Sequence, residues 1–193
     1  MPRVREDRIS AGGGFPMHSH KDMEIITYIL DGQLEHQDSL GNGGTIRPGL
    51  VQKMSAGSGI RHSEFNPSAS QETHMLQVWL LPDRPNHTPS YAQQHFSREA
   101  RQDQLRLIVS GDPSDSVVTI NQDARMFATV LRAGETVQHD VQPTRHAWIQ
   151  LARGRIVANG VTMRAGDGAY GSMAGRVEIM AEEDAEFLFF DMA

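Results

Sequence analysis

Three imidazoles and one carboxylate can be gathered from two short stretches of this sequence, His18-Ser19-His20 and His62-Ser63-Glu64. Each stretch carries its donors at i and i+2. On a β-strand, residues two apart share a face, so two such strands side by side would bring all four groups together. Nitrogen and oxygen donors of this kind bind a divalent transition metal and leave positions free for water, oxygen or a substrate. The spacing alone is a weak signal, because the chain has nine histidines and one chance pair is an ordinary event. The flanks sharpen it. Gly12-Gly13-Gly14-Phe15-Pro16-Met17 leads into the first pair and Ala56-Gly57-Ser58-Gly59-Ile60-Arg61 into the second. Gly-rich turns of this kind aim the start of a strand.

The elements that must hold these groups read as short strands. Ile25 to Leu30 runs into Asp31-Gly32, a hairpin signal. Gln33 to Gln37 follows, then a loop from Ser39 to Gly44, then Thr45-Ile46-Arg47 before Pro48-Gly49, and Val51 to Met54. Met75 to Leu81 is strongly strand-like and stops at Pro82. The polar stretch from Pro82 to about Gln104 carries Pro85, Pro89 and a short helical signal opening at Ser97, and reads as the connection between domains. Strand patterns then resume at Leu105–Val109, Val117–Ile120 and Met126–Leu131. They continue at Trp148–Leu151 and Arg155–Ala158, with Asn159-Gly160 as a type I′ turn, and close at Val177–Ile179 and Glu186–Phe190. Many short strands at even spacing indicate barrels or sandwiches. The halves resemble a degenerate repeat, expected as residues 1–95 and 96–193. The second half offers only His139 and His146 and no His-x-His, so the metal is expected in the first half alone. Trp148, Ile149 and Phe187 to Phe190 are its expected core.

Several classes are excluded. There is no cysteine, so disulfides, thiolate metal sites and cysteine catalysis are out. A net charge of -6 without a Lys/Arg stripe argues against direct nucleic-acid binding. No apolar run approaches a membrane span, and the charged N-terminus is not a signal peptide, so a cytoplasmic protein is expected. Gly57-Ser58-Gly59 lacks the lysine of a phosphate loop, and no Gly-x-Ser-x-Gly elbow is present. His36 and His74 stand alone on strand-like segments and read as hydrogen-bonded structural histidines. His87, His95, His139 and His146 read as surface residues. Met17, Met23 and Met54 are expected to fill core.

His18, His20 and Glu24 fit the first motif of the cupin barrels, and Gly59-x-x-His62-x-x-x-Asn66 fits the end of the second. His18 to Glu24, Leu34 to Ser39 and Met54 to Glu64 more specifically resemble the pirin family of bicupins. The resemblance covers nearly the whole chain. It implies an all-β fold of two tandem cupin barrels, with the first incomplete at its start, because pirins usually carry several tens of residues ahead of the metal-motif strand. It implies His18, His20, His62 and Glu64 as the metal ligands. The general cupin pattern favours Glu24 as the carboxylate instead; Glu64 is taken as the ligand and Glu24 as a partner orienting a ligand imidazole. The expected cofactor is one divalent transition metal, iron(II) first, with nickel, copper, cobalt, manganese and zinc as alternatives. Bacterial pirins are associated with quercetin 2,3-dioxygenase activity. That activity implies a flavonol-like substrate and O2, with Glu64 taking the 3-hydroxyl proton, carbon monoxide leaving and a depside resulting. The alternative implied by animal pirins is a metal-dependent regulatory module that acts through protein partners.

Overall fold

The computed structural model describes residues 1–172 and 174–193. The chain forms two compact units, Pro2–His95 with Val118–Gln122, and Phe96–Val117 with Asp123–Ala193 and Met1. Among the described residues no helix is long and apolar enough to cross a membrane.

The first unit has nine strands before the chain leaves it: β1 (Arg3–Ile9), β2 (Gly14–His20), β3 (Glu24–Asp31), β4 (Leu34–Asp38), β5 (Gly43–Ile46), β6 (Leu50–Ser55), β7 (Ile60–Phe65), β8 (Thr73–Leu80) and β9 (Ser90–His95). They make two sheets, β1-β8-β3-β6-β9 and β2-β7-β4-β5. Ile9, Ile29 and Met75 from the first sheet pack with Leu34 and Ile46 from the second. Each such burial is worth about 1.5–3 kcal/mol. The pleat decides what else points inward. Along β4, Leu34, His36 and Asp38 are buried while Glu35 and Gln37 are exposed. Along β7, Ile60, His62 and Glu64 are buried while Arg61 and Phe65 are exposed. The same alternation that builds the core therefore delivers polar groups into it.

Part of the stretch read as a bare connection is a strand. β9 pairs with β6 from Leu50↔His95 to Ser55↔Ser90. Its polar residues gave no alternating signal because an edge strand has one neighbour and little to bury. Residues 118–122 also return to this unit: Asn121 Nδ2 donates to Glu24 Oε1 at 3.0 Å, and Gln122 Nε2 to the Leu81 carbonyl at 2.8 Å.

After β9 come α1 (Arg98–Arg101), β10 (Arg106–Ser110), β11 (Val118–Thr119), β12 (Ala124–Leu131), β13 (Thr136–Val141), β14 (His146–Arg153), β15 (Arg155–Ala158), β16 (Val161–Arg164), β17 (Gly168–Gly171), β18 (Gly175–Ala181) and β19 (Ala185–Met192). Ser97 caps α1 as its sequence signal indicates, its side chain accepting from Ala100 N. The second unit orders its strands β10-β12-β19-β14-β17 and β13-β18-β15-β16. Asn159 and Gly160, at φ 45° and 82°, turn β15 into β16 as a type I′ pair should. Ile149 and Phe187 to Phe190 are buried, as expected, whereas Trp148 is only partly covered.

His139 departs from its surface reading. Its ring packs between Phe127 and Phe189, and its Nε2 lies 2.7 Å from Asp191 Oδ2. β13 alternates, and residue 139 takes an inward place that polarity alone does not reveal.

Candidate metal centre

β2 and β7 run antiparallel, with His18 opposite His62 and Phe15 opposite Glu64, and a bulge between them. A bulge re-aims side chains, and here it precedes the two histidines of β2. The ring centroids of His18, His20 and His62 lie 4.4–5.0 Å apart pairwise. One ligand atom from each falls within 4.8 Å of the others. Imidazoles packed this closely without hydrogen bonds between them are arranged for a shared partner.

The protonation of the rings fits that use. His18 Nδ1 sits 2.8 Å from the Pro16 carbonyl, which only accepts, so in the neutral ring Nδ1 carries the proton and Nε2 the lone pair. His62 is 1% exposed, and among the described residues neither of its nitrogens has a hydrogen-bond partner. Burial, followed by the neighbouring His18, His36 and His20, pushes the His62 pKa down to about 3. Burial also lowers His20, with His18 adding to it. Both rings are thus held neutral, the form that donates to a metal. Two orphaned nitrogens on one buried ring cost free energy as they stand. A divalent ion accepting from one of them fits the donor set.

Glu64 lies on the same inward face, 2% exposed. Its oxygens accept from Gln77 Nε2 at 2.9 and 3.2 Å. Trp79 Nε1, which only donates, reaches Gln77 Oε1 at 2.9 Å. That contact fixes the amide orientation and obliges Nε2 to face Glu64. Burial raises the Glu64 pKa, opposed by the Gln77 bond. Phe15, Pro16 and Trp79 wall a cavity of about 340 Å³ that His18, His20 and Glu64 also line. Arg5 stands at this cavity too, its guanidinium 5.8 Å from the Trp79 ring.

Of the four residues singled out for the metal, His18, His20 and His62 cluster together, and Glu64 groups with His62 and lines the cavity that His18 and His20 line. Glu24 does not join them. Its carboxylate accepts from Ser55 Oγ at 2.7 Å and from Asn121, not from an imidazole. β2 ends at His20 and β3 begins at Glu24, in a different sheet, so strand parity does not carry across the turn between them. His36 is the residue that sequence reasoning missed. It is fully buried, and among the described residues neither of its nitrogens has a hydrogen-bond partner. It sits opposite Glu64 in the β4–β7 register, its ring 5.3 Å from that of His62. Its pairing with Asp38 at i+2 was the available signal. His74, by contrast, is a satisfied structural histidine, 2.7 Å from Glu6 Oε1. Met54 fills core, but Met17 is 44% exposed.

Two all-β units, the first with inward histidines and a buried glutamate at a cavity floor, define a bicupin with one candidate metal centre. The comparisons agree at finer grain. Residues 1–80 match the family model of pirin, and residues 107–192 that of the quercetinase C-terminal cupin domain. The quercetin 2,3-dioxygenase of Escherichia coli K12 is 40% identical over 189 residues, 98% of this chain and 80% of the relative. A pirin-like protein of Caulobacter vibrioides is 40% identical over 97% of this chain and 81% of its own length. The crystal structure of the E. coli bacterial pirin YhhW in complex with nickel(II) superposes with a TM-score of 0.91 at 39% identity, over 98% of this chain and 80% of that one. The chain belongs to the pirin family.

Proposed function

We propose that His18, His20, His62 and Glu64 hold one divalent transition metal, and that the protein opens the flavonol ring of quercetin-like substrates with O2. The observation that carries this is the cluster of the His18, His20 and His62 imidazoles, the last held neutral by burial, beside a cavity that His18, His20 and the buried Glu64 line. The similarity to E. coli quercetin 2,3-dioxygenase supports the reaction class. Iron(II) and nickel(II) are the ions to load first: these donors suit both, and the E. coli relative holds nickel(II).

A bound divalent ion supplies Lewis acidity, which lowers the pKa of the flavonol 3-hydroxyl. The protein supplies the rest. Glu64, raised by burial, takes and holds the proton of that hydroxyl as general base. Gln77, locked by Trp79, keeps the Glu64 carboxylate in place. Phe15, Pro16 and Trp79 offer flat apolar walls for an aromatic ring system and exclude water. The cavity lies within the roughly 300–1,000 Å³ typical of small-molecule sites.

The test is aerobic incubation of iron- or nickel-loaded protein with quercetin, following loss of the flavonol absorbance. His62→Ala, loaded in parallel, controls for slow oxidation by free metal. Turnover no faster than this variant would reject the assignment.

A further inference from the structure

Behind the four residues assigned to the metal lies a second set that shares two of them. His36, His62 and Glu64 each present a ligand atom within 4.8 Å of the others. All three are almost wholly buried, at 0%, 1% and 2% exposure, whereas His18 and His20 are half-exposed at the cavity. Four imidazole nitrogens here, two on His36 and two on His62, have no hydrogen-bond partner among the described residues. A single ion bound on the His18 and His20 side engages one nitrogen of His62 and leaves His36 empty-handed. Only His36 Nε2 has a polar neighbour near hydrogen-bond range, Asp38 Oδ2 at 3.6 Å; leaving buried polar atoms unpaired costs about 1–3 kcal/mol each, so a fold that retains the others has a use for them.

His36 is also supported the way a ligand is. Its Nε2 lies 3.6 Å from Asp38 Oδ2. Asp38 is itself fixed by Leu40 N, Asn42 N and Asn42 Nδ2 at 2.9–3.2 Å. A carboxylate behind an imidazole orients it and raises its basicity toward a metal. Tyr91 stacks on the other side, with ring centroids 5.3 Å apart and planes at 29°. The ring is held, and its remaining nitrogen is left for an acceptor of its lone pair.

We propose that His36 is a metal ligand, and that with His62 and Glu64 it forms an inner three-ligand position. An ion there is screened from the cavity, so the pocket has a substrate-accessible position and a closed one. This rests on the reading of His62 and Glu64 as ligands, and the experiment separates the two. Zinc(II) is titrated calorimetrically into metal-free wild type and into the His18→Ala/His20→Ala double variant, whose changes fall on half-exposed residues and spare the core. In parallel, ¹⁵N-histidine NMR follows the ring nitrogens. The double variant should still bind about one zinc per chain, more weakly than wild type, with the His36 and His62 nitrogens shifting together. Adding His36→Gln, which keeps a polar side chain of similar length, should weaken that binding further. The loss should exceed the roughly 10–100-fold that removal of a ligand's hydrogen-bonding partner gives. Zinc bound by wild type but not by the double variant, or bound without movement of the His36 resonances, would overturn the inner position and leave the outer centre standing. No uptake by wild type would overturn both.

Discussion

Glu64 and Glu24 are two buried glutamates of one sheet sandwich with different work. Glu64 meets one amide and three nearby imidazoles; Glu24 meets Ser55, Asn121 and the charge of Lys53, itself 5% exposed. Glu64→Gln removes the proposed base and leaves the imidazoles. Flavonol turnover should fall on the order of 10²–10⁴-fold while metal per chain, read by elemental analysis, falls far less. Glu24→Gln should act on stability instead. It leaves the buried Lys53 ammonium, which donates to Ser55 and Ser90 at 3.0 and 2.9 Å, without its countercharge. The denaturant midpoint should drop by the equivalent of about 1–3 kcal/mol with metal content unchanged. Metal loss in Glu24→Gln at constant stability would restore its role as an imidazole partner. A third expectation concerns pH. His62 is held at about 3, far below its ordinary 6.5, and His20 and His36 are lowered too, all chiefly by burial. Unfolded histidines take protons below about 6.5, while the folded ones refuse them. The stability these histidines contribute to the metal-free protein is therefore fully present above pH 6.5 and is lost as pH falls towards 3. Each fully neutral-held histidine contributes up to about 1.4 kcal/mol per pH unit to that slope. Urea midpoints of metal-free His62→Gln between pH 7 and 4 should fall less steeply than those of wild type; an equal slope would show that His62 is not held neutral.

At the scale of elements, the approach of β2 to β7 sets the centre. A Cβ on Gly14 would meet the Glu64 carbonyl oxygen and lie 2.6 Å from Phe65 Cα, so only glycine lets these strands pair beside Glu64. Gly14→Ala should push β2 away from β7 and separate His18 and His20 from His62. Metal affinity should fall along with thermal stability, and a variant that keeps wild-type affinity would show that this approach is not what sets the ligand spacing. Here sequence reasoning had firm ground, because residues within one strand obey the pleat. His18 with His20 and His62 with Glu64 converge as their spacing indicates. It lost ground wherever a long-range neighbour decides the outcome. His36 reaches Glu64 only because β4 and β7 happen to be adjacent, with His36 opposite Glu64 and Asp38 opposite His62. No local pattern encodes that pairing. Glu24 stands apart from the histidines for the converse reason: between β2 and β3 Asp22 takes φ 51° and the chain changes sheet.

At the scale of the molecule, the two units share a strand plan, and laying one register on the other shows what the second has become. In the first, His20 pairs Ile60 and His18 pairs His62. In the second, Val141 pairs Gly175 and His139 pairs Val177 along β13 and β18. Matching the strand ends puts His139 where His18 stands, and Val141, Val177 and Ile179 where His20, His62 and Glu64 stand. Val141 and Ile179 are buried at 3% and 0% exposure and belong to the apolar core of that unit. One imidazole without companions cannot hold a transition metal firmly. This one is engaged by Asp191, which Arg145 also grips through its Nε and through Nη2 to the Asp191 carbonyl at 3.1 Å. His146 Nδ1 likewise meets the Tyr170 hydroxyl at 2.9 Å. His139→Ala should therefore lower stability by about 1–3 kcal/mol, since the nearly buried Asp191 loses a partner, while metal content and flavonol turnover stay at wild-type values. His146→Ala, at a partly exposed pair, should change none of the three measurably. Elemental analysis of both variants, set beside a thermal melt, decides the matter. A second equivalent of metal in wild type that disappears in either variant would show that the second unit is a metal cupin as well.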